Sequence, residues 1–186
     1  MENNHWQRVL VIASLILAGE AIFTLPYHVT RFFRPTFLEV FDLSATELGV
    51  AQSAYGFAAI VAYFFGGPLA DRFEPRKPLA GSLCATALGG LYLATFPSVA
   101  GVTLVWGFFG LTNILFFYAA LIKATRSWGG DAQQGLAYGL LDGGRGLLAA
   151  ILASVGVFAF SITFPLGYDA ATLPQKAEVL RQVIYG

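Results

Sequence analysis

Gly66-Gly67-Pro68-Leu69-Ala70-Asp71-Arg72-Phe73-Glu74-Pro75-Arg76-Lys77 sets five charged side chains between two apolar runs, residues 48–65 and 79–96. Only 12% of the 186 residues are charged, so a cluster this dense between hydrophobic segments marks a tight turn at a membrane surface. The composition agrees. A hydrophobic fraction of 56% with 17 Phe exceeds that of an ordinary soluble domain. Formal net charge is zero, which removes the electrostatic case for nucleic acid as a partner. The lone cysteine, Cys84, excludes a disulfide framework and reads as a small packing residue.

Working outward from the charged stretch, apolar segments of spanning length recur along the chain. A bilayer core of about 30 Å needs about 20 mostly apolar helical residues. The expected helices cover residues 7–33, 46–70, 78–96, 101–125 and 134–164. Period-two alternation is absent, and a spanning sheet would have to close into a barrel, so an all-α integral membrane bundle is expected. Arg8 followed by the apolar residues 9–19 resembles a secretory leader, but Glu20 stands where cleavage would fall and apolar character resumes after it. Ser44-Ala45-Thr46-Glu47 has the form of a capping box for the second helix. Gly129-Gly130-Asp131 breaks the chain before the fifth. Residues 166–186 hold an amphipathic stretch, with Leu173, Ala177, Leu180 and Ile184 on one helical face. It cannot span, and reads as an outer-side approach to a sixth helix.

Arg8, Arg72, Arg76, Lys77, Lys123 and Arg126 fall on one side of such a bundle; Arg31, Arg34, Lys176 and Arg181 fall on the other. The excess favours a cytoplasmic N-terminus in a multi-pass plasma (inner) membrane protein.

Glycine, then Leu69-Ala70-Asp71-Arg72, then the basic pair Arg76-Lys77, resembles the loop between helices two and three of major facilitator superfamily transporters. Within that superfamily the nearest resemblance is to the organophosphate and anion:cation symporter branch. It is carried by Tyr27-His28-Val29-Thr30-Arg31, by Asp71-Arg72-Phe73-Glu74-Pro75-Arg76, and by Trp128 with Gln134-Gly135 and Asp142-Gly143-Gly144-Arg145-Gly146. Glu74 and Pro75 depart from the commonest pattern, which has glycine and arginine there. The resemblance covers nearly the whole chain but only the N-terminal half of a transporter, about five transmembrane helices ending before helix six. It implies a cytoplasmic gating network formed by Gly67, Asp71, Arg72, Arg76 and Lys77. A plain positive-inside anchor is the other reading of these charges.

Charges at membrane depth cost at least about 2.5 kcal/mol each on insertion scales, so they are functional candidates. Glu20 lies mid-way along the first helix, as a coupling-proton carrier or a hydrogen-bonded structural residue. Asp142 and Arg145, three apart on the fifth, share a face. Arginine suits bidentate recognition of carboxylate or phosphate. Arg31 and Arg145 are therefore expected to contact an anionic solute, a position the resemblance also implies. For Arg31 the alternatives are that Arg34 takes the role or that it lies among outer headgroups; for Arg145, that it merely pairs with Asp142. Tyr27 and Asn113 join the expected substrate contacts, Asn113 lining the cavity or bridging helices. His28, Tyr118 and Lys123 are softer candidates, and His28 alone reads as a satisfied polar residue.

No nucleophile–base arrangement, HExxH or P-loop occurs, and two histidines make no metal site, so neither an enzyme nor a cofactor is expected. The expected function is symport or other membrane transport of a small organic solute, a sugar acid or phosphate ester, by alternating access. Its expected partners are the lipid bilayer, the solute and a missing C-terminal transporter half. The rival is a non-transporting membrane scaffold or an inactive truncated gene product. Either way this chain reads as a fragment, a split half or a cut version of a transporter.

Overall fold

The computed structural model describes residues 2–163 and 171–185. The chain begins with α1 (Glu2–Phe23), a π-helical segment π1 (Thr24–His28) and α2 (Val29–Phe32). Then come α3 (Arg34–Val40), α4 (Ala45–Asp71) and α5 (Arg76–Leu93). The next rod is α6 (Val99–Gly110), π2 (Leu111–Tyr118) and α7 (Ala119–Gly129), followed by α8 (Gln134–Thr163) and α9 (Leu173–Tyr185). No strand occurs among the described residues. Residues 164–170, which hold the expected end of the fifth helix and the start of the expected outer-side segment 166–186, lie outside them.

Among the described residues, four helical rods are long and apolar enough to cross a membrane: His5–Phe32, Ala45–Leu69, Val99–Gly129 and Gln134–Ala159. Five were expected. The exception is α5, whose 18 residues rise about 27 Å. It begins on Arg76 and Lys77 and carries Ser82 and Thr86, so its apolar content is diluted. Those two residues with Gly89, Gly90 and Leu93 make its buried stripe. Cys84 lies off that stripe and is exposed, contrary to the packing role expected of it.

The charged turn itself is short. Helix α4 runs on through Gly66, Gly67 and Pro68 to Asp71, leaving only residues 72–75 between α4 and α5. Gly66 is needed inside the helix because a Cβ there would come within 3.1 Å of the Leu115 carbonyl oxygen. At the other end of α4 the capping box forms. Ser44 N–H and Oγ donate to Glu47 Oε2 at 2.8 and 2.7 Å, and Glu47 N–H donates to Ser44 Oγ at 3.2 Å. The residues before it, expected as a loop, wind into α3. Gly130 ends α7 at φ +56°, a conformation that suits glycine.

The first span is interrupted at Pro26, which has no N–H to offer the Ile22 carbonyl four residues back. Two features answer this. The backbone widens into π1, where Val29 N–H reaches Thr24 O. The Ile22 carbonyl also accepts a hydrogen bond at 3.2 Å from Asn113 Nδ2 in π2. Asn113 is fully buried, and its Oδ1 accepts from Thr86 at 3.1 Å and Thr112 at 3.2 Å. One side chain thereby ties α1, α5 and π2 together. Asn113→Leu is expected to strand the Ile22 carbonyl, while Thr86 and Thr112 keep each other and the Phe109 carbonyl as partners. The cost is about 1–3 kcal/mol for the group left unsatisfied, seen as a lowered unfolding temperature in detergent.

The main apolar core joins α4, α6 and π2 around Trp106, Phe109, Leu48 and Ala51, and extends to Phe37 of α3. Helix α9 adds Leu180 and Ile184 to it. Its Lys176 Nζ holds both Glu39 carboxylate oxygens at 2.9 Å, and Arg181 Nε donates to Ala94 O at 3.3 Å. Large exposed side chains such as Phe57, Phe64, Leu104 and Phe158 cover the outside, where lipid tails are as apolar as they are.

Candidate functional site

Helix α8 reaches the bundle by lying along α1, and glycines set how closely. A Cβ at Gly144 would overlap Ile16 Cδ1 at 2.5 Å, and one at Gly19 would stand 3.0 Å from Arg145 Cδ. Gly19 is therefore the gap through which the Arg145 side chain crosses α1 toward the next residue, Glu20. Arg145 Nε lies 3.8 Å from Glu20 Oε2, and its NH1 lies 3.7 Å from Asp142 Oδ1. Its guanidinium also sits over the Phe23 ring, 5.3 Å from the centroid, within range of a cation–π attraction.

The other oxygen of Glu20 faces His28, which the sequence offered only as a softer candidate. Glu20 Oε1 and His28 Nε2 are 2.5 Å apart. Eight residues apart on a regular α-helix, the two would point about 80° away from each other. The π segment absorbs roughly one residue in its turn, so His28 takes the angular place of a residue seven along, within about 20° of Glu20. Pro26 two residues before His28 was the available signal, since proline in a helix interior forces such a rearrangement.

Glu20, Phe23, Tyr27, His28, Asp142, Arg145, Gly146 and Ala149 line an open cavity of about 410 Å³, of a size that suits a small organic ligand. The charges grade from depth to mouth. Side-chain exposure is 4% for Glu20, 22% for Arg145 and 71% for Asp142. Glu20 Oε1, both ring nitrogens of His28 and Arg145 Nε are buried and have no hydrogen-bond partner among the described residues, so Glu20 and His28 meet closely without hydrogen-bond geometry. The Tyr27 ring is exposed toward the cavity and meets Phe23 at 5.9 Å and Tyr55 at 5.1 Å between centroids.

Four of the expected site residues, Glu20, Tyr27, Asp142 and Arg145, thus share one cavity, and Phe23, His28, Gly146 and Ala149 complete it. Two do not join. Asn113 is buried in the interhelical bridge already described, the bridging alternative of its two readings. Arg31 is exposed on α2, its guanidinium 5.8 Å from the Phe32 ring centroid, and is not among the residues lining the cavity.

At the turn expected to gate, Asp71, Arg72, Arg76 and Lys77 are exposed, and Gly67 lies within α4 rather than in the loop. Lys123 Nζ donates to the carbonyl oxygens of Asp71 at 3.3 Å and Phe73 at 3.2 Å, tying the turn to α7. Nearby, Arg8 donates to Trp128 O at 3.3 Å and Gln133 Oε1 at 3.0 Å, while Trp128 Nε1 donates to Arg8 O at 2.8 Å. This latch joins the start of α1 to the α7–α8 connection.

A bundle of apolar rods with a charged, ligand-sized cavity between two of them defines a polytopic helical membrane protein. Residues 9–168 match the Major Facilitator Superfamily, and the chain belongs to that family of membrane transporters. It is 29% identical over 185 residues to inner membrane protein YqcE of Escherichia coli (strain K12), covering 100% of this chain and 43% of that relative. It is 33% identical over 158 residues to inner membrane protein YihN of the same organism, covering 84% of this chain and 37% of the relative. An uncharacterized protein of Mycoplasma pneumoniae, the MG294 homolog, is 23% identical over 174 residues, 87% of this chain and 36% of the relative. The chain therefore spans less than half the length of the curated relatives it matches. No solved structure matches it.

Proposed function

We propose that this chain is the N-terminal half of a multi-pass inner-membrane transporter that moves a small organic anion by alternating access. The observation that carries the reading is the meeting of Glu20, His28, Asp142 and Arg145 around one open cavity. Charges placed at membrane depth are costly, and such residues mark substrate and ion paths. Arg145 is the anion contact, Tyr27 the aromatic wall, and Glu20 the coupling group. Arg31 follows His28 by three residues on the same helical face, at the approach to the cavity.

The rest of the transporter supplies the facing half, and the solute is held between the two near the midplane. The turn carrying Asp71, Arg72, Arg76 and Lys77 lies on the cytoplasmic side and helps hold one conformational state, with Lys123 as its tether. The relatives' printed description as inner membrane proteins supports the location. The Lys and Arg distribution supports a cytoplasmic N-terminus.

The test is uptake by the full-length protein in proteoliposomes, using labelled sugar acids and sugar phosphates. Accumulation that depends on Arg145 is the expected result. An absence of uptake with every anion, in protein that is folded and inserted, would favour the scaffold reading. Orientation is read separately: with Cys84 replaced by serine, a cysteine placed at Glu74 should be labelled by an impermeant thiol reagent only in inverted vesicles.

A further inference from the structure

We propose that the groove between α4 and π2 seats one acyl chain of an anionic phospholipid, with the lipid phosphate held by Arg72 at the charged turn. The inference is independent of any transported solute, because the groove shares no residue with the cavity around Arg145.

The groove encloses about 310 Å³, and apart from Arg72 every side chain lining it is hydrocarbon. Helix α4 supplies Val61, Phe65 and Leu69 to its walls, and π2 supplies Leu111 and Leu115. Gly66 closes the floor, since its missing Cβ lets the α4 backbone come against the Leu115 carbonyl. Val61, Phe65 and Leu111 are exposed, so the groove opens outward from the bundle. Tyr27 of the cavity meets α4 at Tyr55, six positions before Val61 and about 120° around the helix from it. The groove therefore lies on a different flank of α4 from the cavity, where lipid rather than a facing half is the neighbour.

Length and charge select the occupant. From Val61 to Arg72 the chain advances eleven residues, about 16 Å of helix rise. Half of a hydrocarbon core of about 30 Å is about 15 Å. The groove thus runs from headgroup level to mid-membrane, the reach of one acyl chain in one leaflet. A purely apolar occupant would need no cation at the turn end. Arg72 is exposed there, Arg76 and Lys77 follow on the same turn, and Lys123 is tied to its backbone. These four cations outnumber Asp71 and Glu74, the acidic residues of the turn. The guanidinium offers phosphate oxygens a planar fork of donors. A zwitterionic headgroup brings its own cation beside the phosphate, which the basic turn repels; phosphatidylglycerol brings none. Seated there, the lipid joins α4 to π2 beside the turn that Lys123 holds to α7.

The experiment is native mass spectrometry of the delipidated full-length protein, titrated with dioleoyl phosphatidylglycerol, phosphatidylethanolamine and phosphatidylcholine. The tails are identical, so a difference reports the headgroup. One Lys or Arg beside an anionic lipid favours binding by about fivefold, and phosphatidylglycerol should bind tighter than either other lipid by at least that factor. Arg72→Gln should remove most of the preference. Arg126→Gln, which deletes an exposed cation of α7 outside the groove, should leave it intact. Val61→Trp and Leu111→Trp each fill the groove from an exposed position and should weaken all three lipids, so one well-folded variant suffices. Equal binding of the three lipids by the unmodified protein overturns the inference, as does a preference that survives Arg72→Gln. An equal loss in Arg126→Gln would show diffuse surface attraction instead, and unchanged affinity in both tryptophan variants would place the lipid elsewhere. Displacement of phosphatidylglycerol by inorganic phosphate alone would show a site for free phosphate and overturn the lipid assignment.

Discussion

Arg145→Ala is expected to lower anion uptake by the full-length protein about 100-fold or more while the protein still inserts. On the proposed function the side chain is the cation that the cavity offers a solute at depth, and hydrogen bonds to charged groups are worth about 1.5–3 kcal/mol each. Losing a bidentate contact therefore removes at least about 2.8 kcal/mol, two factors of ten. Arg145→Lys keeps the charge but not the planar fork, and should recover only part of the rate. The substitution also strands Glu20, whose side chain is 4% exposed, so stability falls as well. The double variant Glu20→Gln with Arg145→Ala separates the two effects. It should recover the unfolding temperature and not the uptake. Undiminished uptake in Arg145→Ala would remove the guanidinium from the solute path.

Gly110→Leu is expected to prevent the bundle from forming. A Cβ at Gly110 would lie 2.5 Å from the Tyr55 carbonyl oxygen and 2.8 Å from Ala58 Cβ. The first of these is backbone inside α4, which cannot step aside without moving the helix. Close crossings of membrane helices depend on such small residues. Even Gly110→Ala forces that shift, at about 1–3 kcal/mol for overpacking. Gly107, on the same helix, is the control, because its added Cβ would meet only Ala54 Cβ at 4.0 Å. Gly107→Ala should leave a monodisperse, stable protein in detergent and Gly110→Leu should not. Equal behaviour of the two would show that α4 and α6 have room to separate. A shift of Tyr55 would also disturb Tyr27, so Gly110→Ala protein that survives should bind solute more weakly.

Much of the bundle was legible because spanning helices are written in long apolar runs and their ends in local chemistry. The Ser44–Glu47 cap formed as its spacing predicted, and Gly130 broke the chain where expected. The second helix runs through Gly66, Gly67 and Pro68 as its expected bounds had it, ending one residue later at Asp71; what local pattern does not show is that Leu115 leaves no room for a Cβ at Gly66. Helix α5 lies in an apolar run as long as its neighbours', but Ser82 and Thr86 in its buried stripe set its character.

The cavity was legible in its charges and illegible in its pairing. Glu20, Asp142 and Arg145 stand out because charge in an apolar run is rare. His28 ranks below them as a softer candidate, since regular helical spacing turns it away from Glu20. Only the widened turn at Pro26 brings it back. Asn113 stood out as polar, but its partner, a carbonyl freed by a proline 87 positions away in the chain, is a contact no local pattern encodes.

The sequence by itself determined an all-helical membrane protein, the position of its rods and the family signature in the stretch from Gly66 to Lys77. These follow from hydropathy and short-range capping, which act over a few residues. Tertiary structure decided which buried charges meet, that Asn113 serves the backbone, and that Arg31 stands apart from Arg145. Those outcomes depend on helix rotation and on the close approach that Gly19, Gly110 and Gly144 permit. A one-residue change in a helical turn reorients every side chain beyond it.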